Sequence, residues 1–389
     1  MESAVSAQPT MAERLRRQLV DLMRVEEYTV VRPPDAVIAL RGRVYGDTET
    51  AFEHMTRRFA ALGYTAWLHD RPGGGHEVVA TRGVVKPKPS KVWLNIVLFL
   101  ATLLSVLFIG AQFALGYAGM IEDPESREAL VMVLTHLHWG IPFAGTLLGI
   151  LLAHELSHYF VARRYGSPVS LPYFIPMPNI LGTMGAVIVQ RAPMRSRKAL
   201  FDIGVAGPLG GLIVAIPLLI LGLALSSVGT PPPGVEIFFQ EGNSLLYLAL
   251  KYLVFGKILP SNGEDVWLHP VAFAAWAGLL VTMINLIPVG QLDGGHASYA
   301  LLGRRAWRLG YLAIAAMVAW GGWLLMGGNE AGGFWLTWGF LNLLLNPRHP
   351  PPLDDATRLD WSRVALGLLV LMIFILTFMP APLREIRMQ

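Results

Sequence analysis

The chain has no cysteine among its 389 residues. Disulfides and thiolate metal ligands are therefore excluded, and any bound metal must be held by His, Asp or Glu. Charge is scarce as well: 15% of residues are charged against 53% hydrophobic, and mean hydropathy is +0.48. Such a balance excludes an ordinary soluble globule and predicts a multi-pass membrane protein. The formal net charge of +4 comes from basic residues that are scattered, not striped with aromatics. That pattern fits loops with a positive-inside bias, and no nucleic-acid partner is expected. The opening stretch MESAVSAQPTMAERLRRQ lacks a short apolar core before a small-residue cleavage site, so no cleaved signal or transit peptide is expected.

Residues 1–90 read as a small cytosolic α+β domain with its linker. MAERLRRQLVDLMRVEEYTV has helical apolar spacing, and DAVIALRGRVYG reads as a strand. DTETAFEHMTRRFAALG reads as an amphipathic helix capped by Asp47 or Thr48 and closed by Gly63. YTAWLHD and GHEVVATRGVV follow as strands about the turn RPGGG, which lacks the G-K-[ST] of a phosphate loop. VKPKPSK is the expected linker to a membrane domain covering 91–389.

That membrane domain shows apolar runs near 93–117, 139–162, 199–227, 268–289, 306–326, 333–346 and 362–380, with an ambiguous amphipathic piece at 244–258. Together they predict about six to eight transmembrane helices. Residues 168–192 carry Pro168, Pro172, Pro176 and Pro178, too many helix breakers for a span, so a membrane-associated strand or irregular segment is expected there. Lys86, Lys88 and Lys91 precede the first span and the acidic IEDPESRE follows it. Positive-inside counting then puts the N-terminal domain in the cytosol, and a prokaryotic plasma membrane is the expected location.

One span is polar where it should be apolar. LLAHELSHYF places His154, Glu155 and His158 within five residues, each costing roughly 2.5 kcal/mol or more in a bilayer unless compensated. On a helix His154 and His158 lie about 40° apart and ~6 Å along the axis, so both can reach one ion. Glu155 lies about 100° round from His154, better placed to take a proton from water than to complete the ligand face. Without such a role the three would be a polar packing cluster or a wet cavity. Two histidines leave a catalytic zinc one protein ligand short. Asp202 and Asp293 are the candidates on the same side of the membrane. Asp293 follows Pro288 and Gly290 and precedes Gly294 and Gly295, which free the backbone for close approach, whereas Asp202 sits near a helix start where capping is the ordinary role. Glu241, Glu264 and Asp265 fall in an expected outside loop. His136 and His138 diverge on a helix and read as interfacial.

His154-Glu155-Leu156-Ser157-His158 together with NLIPVGQLDG, 285–294, resembles the site-2 protease family of intramembrane zinc metalloproteases, whose signatures are H-E-x-x-H and a later N-x-x-P-x-x-x-L-D-G. The resemblance covers roughly 139–303, including GVAGPLGG, and is nearer the branch with plant chloroplast and prokaryotic members than the branch carrying a PDZ domain. It implies that His154, His158 and Asp293 bind Zn2+, that Glu155 activates water, and that Asn285 orients substrate or stabilises the developing oxyanion, a helix–helix hydrogen bond being its plainer role. The implied partners are a transmembrane protein substrate and the lipid bilayer. GTMGAVIVQ, 182–190, could offer a strand edge to an unwound substrate segment. His296 is expected beside the site and not as a fourth ligand. Gly207, Gly210 and Gly211 are expected to permit tight helix packing. Two competing readings are a metal transporter or metal-bound scaffold, and an H-E-x-x-H membrane protease that trims lipidated C-termini, which would need a glutamate ligand.

Overall fold

The computed structural model describes residues 10–31, 37–71, 73–85, 91–121, 123, 126–230 and 237–387. Most of the expected linker (86–90), Pro72 of the RPGGG turn, and Glu122, Pro124 and Glu125 of the acidic loop lie outside the described residues. In chain order the elements are α1 (Met11–Arg17), β1 (Met23–Val31), β2 (Val37–Val44), α2 (Thr48–Ala61), β3 (Tyr64–Asp70), β4 (His76–Arg82), α3 (Val92–Tyr117) and α4 (Arg127–Thr135). A 3-10 turn (Leu137–Gly140) leads into α5 (Ile141–Arg164), then β5 (Tyr173–Pro176), β6 (Thr183–Val187), α6 (Arg197–Ala224), β7 (Ser227–Gly229), β8 (Ile237–Glu241) and α7 (Leu245–Phe255). The chain closes with β9 (Asp265–Trp267), α8 (Pro270–Asn285), α9 (Asp293–Leu302), α10 (Arg305–Met326), α11 (Gly332–Leu344), α12 (Trp361–Thr377) and β10 (Leu383–Arg387).

Two compact units result. The first joins 1–88 to two later strips, 190–200 and 350–360; the second holds 89–189, 201–349 and 361–389. In the first unit an antiparallel sheet of order β1-β2-β4-β3 buries alternate residues such as Leu40, Leu68 and Val78 against Leu15, Met55 and Phe59 of the helices. Asp47 caps α2 by accepting from the Thr50 hydroxyl and amide. These bonds hold its carboxyl below the usual range.

The helical spacing read across 11–30 is overturned beyond Arg17, because Met23–Val31 pairs with β2 along its length. Val25, Thr29, Val30 and Val31 are β-branched, and a ladder of backbone bonds outweighs the weak apolar periodicity.

The sheet continues past β3. The Leu68 amide donates to Leu353 O (2.7 Å) and Leu68 O accepts from the Asp355 amide (2.8 Å). The Leu353 and Asp354 amides in turn donate to Met194 O and Arg195 O. Ion pairs Lys198–Glu49 (2.6 Å) and Arg195–Glu53 (2.9 Å) add to these. The expected membrane domain of 91–389 is therefore interrupted: 350–360 satisfies the outer edge of β3, which would otherwise present unpaired backbone groups, and 190–200 borders 350–360 in turn.

In the second unit α3, residues 137–164, α6 and α10 are the helices long and apolar enough to cross a membrane among the described residues, four in all. α7, α8 and α12 are apolar but shorter. The expected six to eight is not reached on this measure, because α8, with 16 residues, rises only about 24 Å against a ~30 Å hydrocarbon core. α8 is instead the centre of the unit, with Ala272, Ala274, Ala275, Trp276 and Leu279 fully buried. It packs on α5 where Gly278 faces Ile150, and on α6 where Gly222 meets Ala272. Between α5 and α6 the chain forms the antiparallel hairpin β5–β6, with β5 laid against α3. Asn95 of α3 donates to Leu171 O and Pro172 O, satisfying carbonyls that the proline-rich stretch leaves without a ladder.

Candidate metal centre

The polar half of α5 faces inward. His154, Glu155 and His158 are each buried to within 5% of complete. Asp293 opens α9, which folds straight back on the end of α8. A Cβ on Gly294 would lie 2.0 Å from Leu286 O, and one on Gly295 would lie 2.4 Å from Gly290 O. Glycine alone allows that reversal, and it carries the Asp293 carboxylate to the α5 histidines 139 residues earlier in sequence.

The three side chains form a triangle in which each histidine faces a different oxygen of Asp293. His154 Nε2 lies 3.1 Å from Asp293 Oδ2, His158 Nε2 lies 3.2 Å from Asp293 Oδ1, and the two Nε2 atoms are 3.2 Å apart. Tetrahedral coordination with bonds of about 2.0–2.1 Å requires donor separations of about 3.3 Å, so the residues present fit zinc. His158 Nδ1 donates to Ile203 O at 2.6 Å, and since a carbonyl can only accept, the proton sits on Nδ1 and the Nε2 lone pair faces the triangle. Two imidazole nitrogens and a carboxylate so close repel one another unless a cation or proton lies among them. Among the described residues this is the single group of three or more such donors close enough to hold an ion.

Around the triangle, Asn285 Nδ2 at the end of α8 lies 3.5 Å from His154 Nε2. The Glu155 carboxyl lies near the Ile188 backbone just after β6. α6 supplies a glycine seat: an added Cβ would lie 2.0 Å from His158 Nε2 at Gly207, 2.0 Å from Ser157 Oγ at Gly210 and 3.3 Å from His154 Nδ1 at Gly211. The Ser157 hydroxyl donates to Ala153 O within its own helix, so it fills space and satisfies itself.

Asp202 stands elsewhere. Arg363 grips it with two bonds, 2.8 Å and 2.6 Å, and the Tyr165 hydroxyl also donates to it. It is neither a ligand of the triangle nor a helix cap; it ties α6 to α12 and to the end of α5. His296 Nδ1 lies 2.6 Å from His349 Nε2, outside the ligand triangle. His136 caps the C-terminus of α4 and His138 lies in the following 3-10 turn, also outside the triangle. Glu241 and Asp265 flank the fully buried Lys251 at 3.1 Å and 3.5 Å, and Glu264 pairs with Lys257 at 2.5 Å. Sequence reasoning missed the Ile203 carbonyl and the Ile188 backbone, for which side-chain identity gives no signal. The glycines at 204, 207, 210 and 211 were a signal for the α6 seat.

Residues 142–326, which hold all five expected site residues, match the model of peptidase family M50. The chain carries a peptidase family M50 domain. It is 30% identical over 378 residues to "Probable zinc metalloprotease EGY1, chloroplastic" of Arabidopsis thaliana, covering 88% of this chain and 66% of that protein. It is also 30% identical over 332 residues to the rice (Oryza sativa subsp. japonica) protein of the same name, with 79% and 55% covered. With "Probable zinc metalloprotease EGY2, chloroplastic" of Arabidopsis thaliana it shares 27% identity over 387 residues, 95% and 66% covered. The chain thus spans 55–66% of the length of these three relatives. Like its family it is membrane-embedded, in keeping with its long apolar helices. The relatives are named as chloroplastic, which gives the expectation of a prokaryotic plasma membrane no support.

Proposed function

We propose that this M50 chain is an intramembrane zinc endopeptidase that hydrolyses a peptide bond within or near a transmembrane segment of another membrane protein. The observation that carries the reading is the triangle His154, His158 and Asp293 at tetrahedral donor spacing, with the Glu155 carboxyl on the neighbouring residue. That the relatives are named as zinc metalloproteases supports zinc as the ion. Bound zinc would supply the Lewis acidity that makes water a nucleophile near neutral pH and polarises the peptide carbonyl.

The chain's own residues supply the rest. His154, His158 and Asp293 would hold the ion, and the Ile203 carbonyl keeps His158 in the ligating tautomer. Glu155 takes the proton lost by water on its carboxylate and delivers it to the departing amide nitrogen. Asn285 offers its amide Nδ2–H to substrate or to oxygen charge developing in the transition state.

A substrate helix hides its peptide bonds, so it must open before cleavage. Among the described residues β6 pairs only with β5, and Met184, Val187 and Val189 nearby are about half exposed. An extended substrate segment adding to that edge would run towards Ile188, whose backbone lies near Glu155. The positive-inside count supports a cytosolic first unit, and the shorter apolar helices α8 and α12 are further membrane segments in this reading.

Metal analysis of purified protein is expected to give about one zinc per chain, lost on Asp293→Ala or on His154→Ala with His158→Ala. Full zinc content in the Asp293 variant would sink the ligand assignment. Co-expression with a single-span substrate is expected to show cleavage by the wild type and none by Glu155→Ala.

A further inference from the structure

The first unit carries an open concavity of about 660 Å³. Its volume falls inside the 300–1,000 Å³ range of small-molecule sites. Its walls come from the start of α2, the β3–β4 turn, Lys198 and residues 356–358, all within the first unit. Most of its charges are already engaged. Lys198 is paired with Glu49 at 2.6 Å, the Asp47 carboxylate accepts from Thr50, and Asp70 faces His76 at 3.8 Å. Arg71 and Arg358 are the exceptions: both line the cavity, and among the described residues neither has a carboxylate within 4.0 Å.

We propose that this cavity binds a solute or headgroup bearing a phosphate, held by Arg71 and Arg358. A guanidinium presents planar, paired N–H donors that match a tetrahedral oxyanion, and two of them lining one concavity suit a group carrying close to two negative charges. The cavity is too polar for an apolar ligand. The acids Asp47 and Asp70 on its rim can accept from hydroxyls on the body of a phosphate ester. Among the described residues neither arginine stands in an ion pair, so neither is committed to one in the fold.

The full chain in phosphatidylcholine nanodiscs is the test system, titrated with inorganic pyrophosphate and followed by calorimetry and thermal unfolding. Saturable binding and a raised unfolding temperature are expected, and Arg71→Gln with Arg358→Gln should weaken binding at least about tenfold. The distant variant Arg16→Gln should leave it unchanged. Folding of the double variant is checked by its unfolding temperature without ligand. Binding that survives addition of phosphatidic acid to the nanodisc assigns a soluble phosphate; binding displaced by it assigns a lipid headgroup, and either supports the site. No saturable binding by the wild type, or equal binding by the double variant, overturns it. None of these readouts depends on proteolysis or on zinc.

Discussion

The carboxyl of Glu155 and the missing side chain of Gly207 make opposite kinds of contribution, one chemical and one spatial. Removing the first, in Glu155→Ala, should lower cleavage by about 10²–10⁴-fold or more while zinc content stays near that of the wild type. Adding to the second, in Gly207→Ala, puts a methyl 2.0 Å from the His158 ligand nitrogen. Zinc affinity should fall at least about tenfold, measured by competition with a chromophoric chelator. Gly145→Ala, on α5 with open space around it, is the matched control and should leave affinity unchanged. At this scale much was readable: a spacing of four puts His154 and His158 on one face by helix arithmetic alone. The Ile203 carbonyl was not readable, because every residue has a carbonyl and only the packing of α6 on α5 aims this one at a ring nitrogen.

Elements are held in place by charges that do no chemistry. Asp202 belongs to this class, and the distinction between it and Asp293 can be measured. Arg363→Met should cost about 2 kcal/mol by leaving a part-buried carboxylate with the Tyr165 hydroxyl alone, yet zinc content should be retained. Loss of zinc in that variant would move Asp202 into the metal site. In the first unit, Arg58 of α2 donates two bonds to Asp21 and lowers its carboxyl from 3.8 to about 2. A lowered folded-state value contributes stability that is present above pH 3.8 and is lost as pH falls towards 2. Asp21→Asn should therefore flatten the unfolding-temperature profile of this unit across that window and leave its slope above pH 5 unchanged. The lengths of long apolar helices were legible because hydropathy accumulates over many residues. The strand nature of Met23–Val31 was not, since apolar spacing over so few residues fits either period and only the partner β2 decides.

Across the whole molecule, sequence distance and spatial assignment part company. The membrane class followed from composition, and the pairing of α5 with the later L-D-G loop followed from two motifs that each needed the other. The inclusion of 190–200 and 350–360 in the first unit was out of reach, because the bonds that extend the sheet through those strips are backbone bonds with no side-chain signature, and surface pairs such as Lys198–Glu49 do not announce themselves in sequence. A chain ended after Leu344 lacks the strip that borders β3. Limited proteolysis of its first unit should be faster than in the full chain, with Leu68 amide exchange accelerated at least about tenfold, and equal rates would refute the role given to that strip.

The same strip imposes a schedule on synthesis. When the ribosome has finished β4, the outer rim of β3 has no neighbour, and the segment that borders it is encoded some 270 residues further on. At about 5–20 residues per second the nascent domain waits on the order of tens of seconds with an open strand. By the time residue 353 emerges, α5 and α9 have already been translated. The β3 edge is thus made before the site and finished after it, and its completion reports that the histidines and the aspartate have all been translated.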